Sequence, residues 1–172
     1  MGQQRSDALP CASVSVLSSG SPHAGCGLPH RLEDLGVRGG IRWVNDSIAT
    51  APEAAVAALE AFGGEVATYL GGGTDRGFDF APLARELASR ALPNVILLPP
   101  GGPSILAALA AVDPQAAARA HLVANLADAV ALAARLTPQG STVLFSPASP
   151  SYGLYRNFEE RGNAFRGLVY AL

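Results

Sequence analysis

The sequence contains no lysine; all 12 of its basic residues are arginine. That absence removes every chemistry that needs a lysine side chain on this chain. A phosphate-binding P-loop of the usual kind, a Schiff base and a carbamylated lysine are all excluded. Cysteine is nearly absent too. Cys11 and Cys26 both fall in the first 26 residues. No second pair or histidine cluster accompanies them, so they read neither as a zinc site nor as a disulfide framework. Charge is sparse, at 15% of residues and a formal net charge of −2. No basic stripe is present, which argues against nucleic acid. No apolar run reaches the length that spans a bilayer. Arg5 is followed by no continuous apolar stretch, so the start is a poor signal peptide and a cytoplasmic location is expected. His23, His30 and His121 have no partner at nucleophile–base or metal spacing, and the serines lack a nucleophile elbow.

What is present supports a folded domain. The chain has 172 residues, 49% of them hydrophobic, enough for one domain with a core. Residues 1–26 are rich in Ser, Gly and Pro without a sustained period, and are expected to form a disordered tail. Residues 27–172 are orderly. Leu32–Val37 and Ile41–Asn45 flank Arg38-Gly39-Gly40, the pattern of a hairpin with a glycine turn. A helix is expected from Thr50 to Phe62, with Thr50 and Glu53 at capping-box spacing, Pro52 in the first turn and Gly63-Gly64 as the stop. Strands are expected at Val66–Leu70, Val95–Leu98, His121–Ala124 and Thr142–Phe145. Helices are expected at Phe80–Ala91, Ser104–Ala111, Leu126–Leu136 and from Phe158 onward. The alternation predicts a Rossmann-like α/β fold. Its sheet is doubly wound and mostly parallel, with helices on both faces, preceded by a short β-hairpin.

Ligands in such sheets sit beyond the carboxyl ends of the strands. That rule selects Asn45–Thr50, Gly71–Gly77, Pro99–Ser104 and Ser146–Tyr152. Asn45-Asp46-Ser47-Ile48-Ala49-Thr50 reads either as a turn with a helix cap or as a helix N-terminus turned toward an anion. Gly71-Gly72-Gly73-Thr74-Asp75-Arg76-Gly77 fails the dinucleotide pattern, because Arg76 stands where the third glycine belongs. One cation in a glycine-rich loop at a ligand edge nevertheless suits a carboxylate or a phosphate. Ser146-Pro147-Ala148-Ser149-Pro150-Ser151-Tyr152 is a stiff polar loop. The Glu and Arg residues that follow it read as a solvated helix face, and Asn157 and Glu160 again have capping spacing.

Three segments together resemble the Mur ligase family, in particular the C-terminal domain of the UDP-N-acetylmuramoyl-L-alanine:glutamate ligase type. They are GLPHRLEDLG (Gly27–Gly36), RWVNDSIATAPEAAVAALEAF (Arg42–Phe62) and SPASPSYGLYRNFEERGNAF (Ser146–Phe165), with GGGTDRGFDF (Gly71–Phe80) between them in order. The resemblance implies an ATP-dependent ligase of peptidoglycan precursors, active in cell-wall synthesis. ATP activates the carboxylate of UDP-N-acetylmuramoyl-L-alanine as an acyl phosphate, and the amine of glutamate attacks it. ATP and magnesium would be held mainly by a central P-loop domain, and the UDP-sugar by an N-terminal domain, neither of them in this chain. The C-terminal domain closes over them and brings the amino acid. By motif, Arg31, Asn45 and Asp46 match the ATP side, and Thr50, Arg76, Ser151 and Phe158 match the glutamate site. No residue of the chain alone is implied to be catalytic, and a monomer is expected.

Three departures stand out. The family's NDSKAT is NDSIAT here, its loop lysine is Arg76, and its SPACAS is SPASPS. They resemble a branch that adds L-glutamate, with the D-isomer the other possibility. The competing expectation is a non-catalytic module that holds an acidic amino acid or a nucleotide.

Overall fold

A computed structural model of the chain describes residues 28–172. The tail expected over residues 1–26, with Cys11 and Cys26, lies outside the described residues. The chain begins with a hairpin, β1 (Glu33–Arg38) and β2 (Ile41–Asn45), paired antiparallel. Gly39 and Gly40 turn it with φ of 60° and 77°, a geometry closed to most side chains. There follow α1 (Pro52–Phe62), β3 (Val66–Gly72), α2 (Ala81–Ser89), β4 (Asn94–Leu98), α3 (Gly102–Val112), α4 (Pro114–Ala118), β5 (Ala120–Leu122), α5 (Leu126–Leu136), β6 (Thr142–Phe145) and α6 (Phe158–Tyr170).

All six strands form one sheet in the order β1-β2-β6-β3-β4-β5, with every pair after the hairpin parallel. The expected mostly parallel, doubly wound fold is therefore present. The expected hairpin precedes the alternating units and joins the same sheet, with β2 paired to β6. The last strand in sequence sits near the middle, between β2 and β3. This brings the loops after β2, β6 and β3 side by side.

Side chains alternate between the two faces, as a pleated strand requires. Val44, Tyr69, Val95, Leu97 and Leu144 pack under α1, α2, α3 and α4. Trp43, Leu70, Ile96, Val143 and Phe145 pack under α5 and α6. The strands read as continuous apolar runs because both faces are covered. On the second face Phe165 lies 4.5 Å from Phe145 and 6.2 Å from Trp43, centroid to centroid.

Two local expectations are corrected. Thr50 does not cap α1. The N-cap is Ala51, extended at φ −140° and making no side-chain cap bond. Pro52 at the first helical position carries no N–H, so one fewer amide is left unpaired at the start of the helix. The short α4 was not expected; the Asp113 side chain caps it by accepting from the Gln115 and Ala116 amides. The Asn157 cap is present, accepting from the Glu160 amide at 2.8 Å. The returning Glu160 carboxylate accepts from the Arg156 amide at 2.6 Å, one residue earlier than a capping box places it. Asn157→Ala is expected to lower unfolding free energy by about 1 kcal/mol, and Thr50→Ala by under about 0.5 kcal/mol. Urea titration of both variants checks this; an equal loss at Thr50 would show that it caps after all.

Candidate functional site at the carboxyl edge of the sheet

Hydrogen bonds tie the loops at this edge into one surface. The Gly72 amide donates to the Pro147 carbonyl at 2.7 Å, Thr74 N to Pro150 O at 2.8 Å and Gly101 N to Gly73 O at 2.6 Å. The Thr74 hydroxyl donates to the Tyr152 carbonyl. The post-β2 loop joins them through Asp46, whose Oδ2 accepts from the Ser146 hydroxyl at 2.7 Å. The structure thus brings together the loops that carry Thr50, Arg76 and Ser151.

Arg76 is exposed, its guanidinium 5.3 Å from the centre of the Tyr152 ring. The neighbouring Asp75 is also exposed, and its acidity is raised first by the Ser104 hydroxyl bond and then by the Gly77 amide. Both residues are thus open to solvent. Ser151 is buried. Thr50 is half-buried at the start of α1. Phe158 opens α6 and lies edge-on to the His30 ring at 6.1 Å. Phe158 therefore stands on the β1 side of the edge, against the buried His30.

Of the three residues matched to the ATP side, Arg31 and Asp46 line one groove. It has a volume of about 420 Å³ and runs against α1 beside Ile48, Ala54 and Ala58. Arg31 is exposed there. Asp46 is only 4% exposed. Burial pushes its carboxyl up to about 6, against the opposing pull of the Ser146 hydroxyl, the Leu32 amide and the Arg31 charge. Asn45 is fully buried and occupied internally. Its amide nitrogen donates to Glu33 Oε2 at 3.0 Å and to the Gly162 carbonyl at 3.3 Å, and its oxygen accepts from Ser47 N at 3.2 Å. Asn45 thus pins the hairpin and α6 to the loop.

Arg161 corrects the reading of the α6 charges as a solvated face. Arg156 and Glu160 do pair on the surface, at 3.3 Å. Arg161 instead is 3% exposed. Its Nη1 donates to the Ser149 carbonyl and its Nη2 to the Ser47 carbonyl, each at 2.9 Å. One guanidinium therefore bridges the post-β2 and post-β6 loops. The signal was in the helical spacing: position 161 lies three after Phe158 and four before Phe165, on the apolar stripe. Ser146 was also missed as a partner of Asp46. Its carbonyl accepts from the buried Tyr69 hydroxyl at 2.6 Å, and burial foremost raises the Tyr69 pKa.

Residues 30–149 match the sequence profile of the Mur ligase, glutamate ligase domain. The chain belongs to the Mur ligase family. It is 45% identical over 143 residues to UDP-N-acetylmuramoyl-L-alanine--L-glutamate ligase of Salinispora tropica, covering 83% of this chain and 31% of that protein. It is 42% identical over 146 residues to UDP-N-acetylmuramoylalanine--D-glutamate ligase of Symbiobacterium thermophilum, covering 85% and 31%. The chain thus spans about a third of the length of these curated Mur ligases. The folylpolyglutamate synthase of Mycobacterium tuberculosis complexed with ADP superposes with a TM-score of 0.56 at 18% identity, over 83% of this chain and 32% of that one. A murein peptide ligase of Psychrobacter arcticus superposes with a TM-score of 0.55 at 13% identity, over 87% and 32%. At such identities the superpositions establish the shared fold. No helix among the described residues is long and apolar enough to cross a membrane.

Proposed function

We propose that this chain is the amino-acid-delivering domain of an ATP-dependent ligase that joins glutamate to UDP-N-acetylmuramoyl-L-alanine. The observation that carries the proposal is the family match together with the Arg76 loop. An exposed guanidinium stands on a glycine-rich turn beside the loops of Thr50 and Ser151. Glutamate carries two carboxylates, and a guanidinium holds a carboxylate through two parallel hydrogen bonds. Thr50 leaves its hydroxyl free of helix capping, at the positive end of α1. Phe158 would close the site from the β1 side. Arg31 and Asp46 would face the nucleotide across their groove, an exposed cation toward phosphate and a carboxyl toward a sugar hydroxyl. ATP supplies the activating phosphoryl group, and magnesium would accompany it on the central domain. The role of this chain is positioning and charge placement.

The test is reconstitution with the N-terminal and central domains of the Salinispora relative. Phosphate release is measured with ATP, magnesium, UDP-N-acetylmuramoyl-L-alanine and each glutamate enantiomer. The chain alone is expected to release none, and the reconstituted protein to turn over. Charged hydrogen bonds are worth about 1.5–3 kcal/mol, so Arg76→Leu is expected to raise the glutamate KM roughly 10- to 150-fold. The ATP KM is expected to stay within about threefold, since additivity holds for distant sites. An unchanged glutamate KM would reduce Arg76 to a solvated loop residue. Running both enantiomers decides between the L-glutamate branch suggested by NDSIAT and SPASPS and the D-glutamate reaction.

A further inference from the structure

Arg161 does more than bridge two loops. Only its two terminal nitrogens have partners, both neutral carbonyls; the buried Nε has none. Among the described residues no carboxylate lies within ion-pair distance of it. Burial lowers its pKa to about 10, so it remains charged at neutral pH. A whole positive charge is therefore enclosed without a counter-charge, an arrangement that an anion would complete.

A cavity of about 170 Å³ adjoins this cation, on the α5–α6 side of the sheet edge. Arg161, Ser151, Asn125 and the backbone of Gly72 and Gly73 form its polar part, and leucine and aromatic side chains form the rest. The bare glycine backbone matters here, since a Cβ at Gly73 would stand 2.9 Å from Arg161 Nη1. The eleven-residue helix α5 begins at the same wall, behind its Asn125 cap, and adds the positive end of its dipole. One water needs only about 10–15 Å³ on this measure, so the space exceeds a lone ion. An enclosed cation, a helix N-terminus and an apolar lining fit a small organic acid with its carboxylate toward Arg161.

We propose that this cavity is a carboxylate-binding subsite with Arg161 as its cation. It is separate from the exposed Arg76 and shares only Ser151 with the glutamate site described above. Its occupant is either a free small carboxylate or one carboxylate arm of the amino acid held at that site.

The experiment is a ¹H–¹⁵N NMR titration of the 172-residue chain with sodium propionate, against sodium chloride at matched ionic strength. Propionate is expected to shift the Gly73, Leu126, Ser151 and Arg161 Nε–H signals in a saturating manner, and chloride is not. Arg161→Gln is expected to weaken binding at least about tenfold, as loss of a charged hydrogen-bond partner does. Because that variant disturbs the loop bridge, Ala124→Phe is the second arm. Ala124 is an exposed residue at the cavity wall, so its enlargement blocks the space and leaves the guanidinium bonds alone. Absence of saturation in the wild type, or wild-type propionate binding by Ala124→Phe, overturns the proposal. A parallel glutamate titration separates the two sources. Shifts at the cavity together with Thr50 and Arg76 identify the amino-acid arm, and propionate binding without cavity shifts by glutamate identifies a free acid. If glutamate moves neither set while propionate binds, the glutamate-site reading falls and the subsite stands.

Discussion

Gly72→Ala is expected to cost about 3–5 kcal/mol, the largest effect of any single methyl added at this edge. Gly72 ends β3 at φ 106°, a backbone conformation that L-residues rarely adopt. It is paired in register with Leu98 on β4. A Cβ at this position would meet the Leu98 carbonyl oxygen at 2.2 Å and the Leu98 nitrogen at 2.9 Å. These are backbone atoms of the neighbouring strand, so relief requires moving β4 or opening the β3–β4 ladder. The Gly72 amide also donates to Pro147, so the shift spreads to the Ser151 loop. Gly77→Ala is the control. It has φ 70° but nothing within 4 Å of the added carbon. It carries conformational strain alone, about 1–2 kcal/mol. Urea denaturation midpoints of the two variants make the comparison. Equal losses would mean that the approach to Leu98 relaxes freely.

The second large effect is a pH dependence centred on Asp46. Its carboxyl titrates near 6 in the folded chain, above the ordinary value of 3.8. A raised carboxyl favours the folded state while protonated. The folded chain binds the extra proton between about pH 4 and 6, so this contribution is full below pH 4. It falls as pH rises through 6. Two units at 1.36 kcal/mol each give a loss of about 3 kcal/mol between pH 4 and pH 8. Other carboxylates also titrate there, so the quantity to read is the difference between wild type and Asp46→Asn. The asparagine keeps an acceptor for the Leu32 amide and sets its own N–H₂ against the Ser146 hydroxyl. Its unfolding free energy is expected to lack this fall between urea titrations at pH 4.5 and 7.5. Identical pH slopes in the two proteins would place the titration elsewhere. The same shift puts Asp46 within reach of neutral pH, beside Arg31 in the groove along α1.

Local composition determined much of this protein by itself. Apolar runs punctuated by glycine and proline specified strands and helices close to where they lie, because each strand must bury both faces between helix layers and each helix one face against the sheet. The glycine turn at Gly39-Gly40 and the Asn157 cap were equally legible, since both depend on neighbours within three residues. The glycine loop around Arg76 and the ordered motifs marked the family. The cap expected at Thr50 was lost to Ala51 and Pro52, a competition between adjacent residues that spacing alone does not resolve. Only the tertiary structure decided the rest. It placed β6 between β2 and β3, which sets Ser146 against Asp46 across 100 positions of sequence. It turned Asn45 inward as a tie and enclosed Arg161 between two loops. Burial and partner identity are properties of the packed chain, because a charged side chain's solvation depends on elements more than a hundred residues away, as at Arg161 and Ser47.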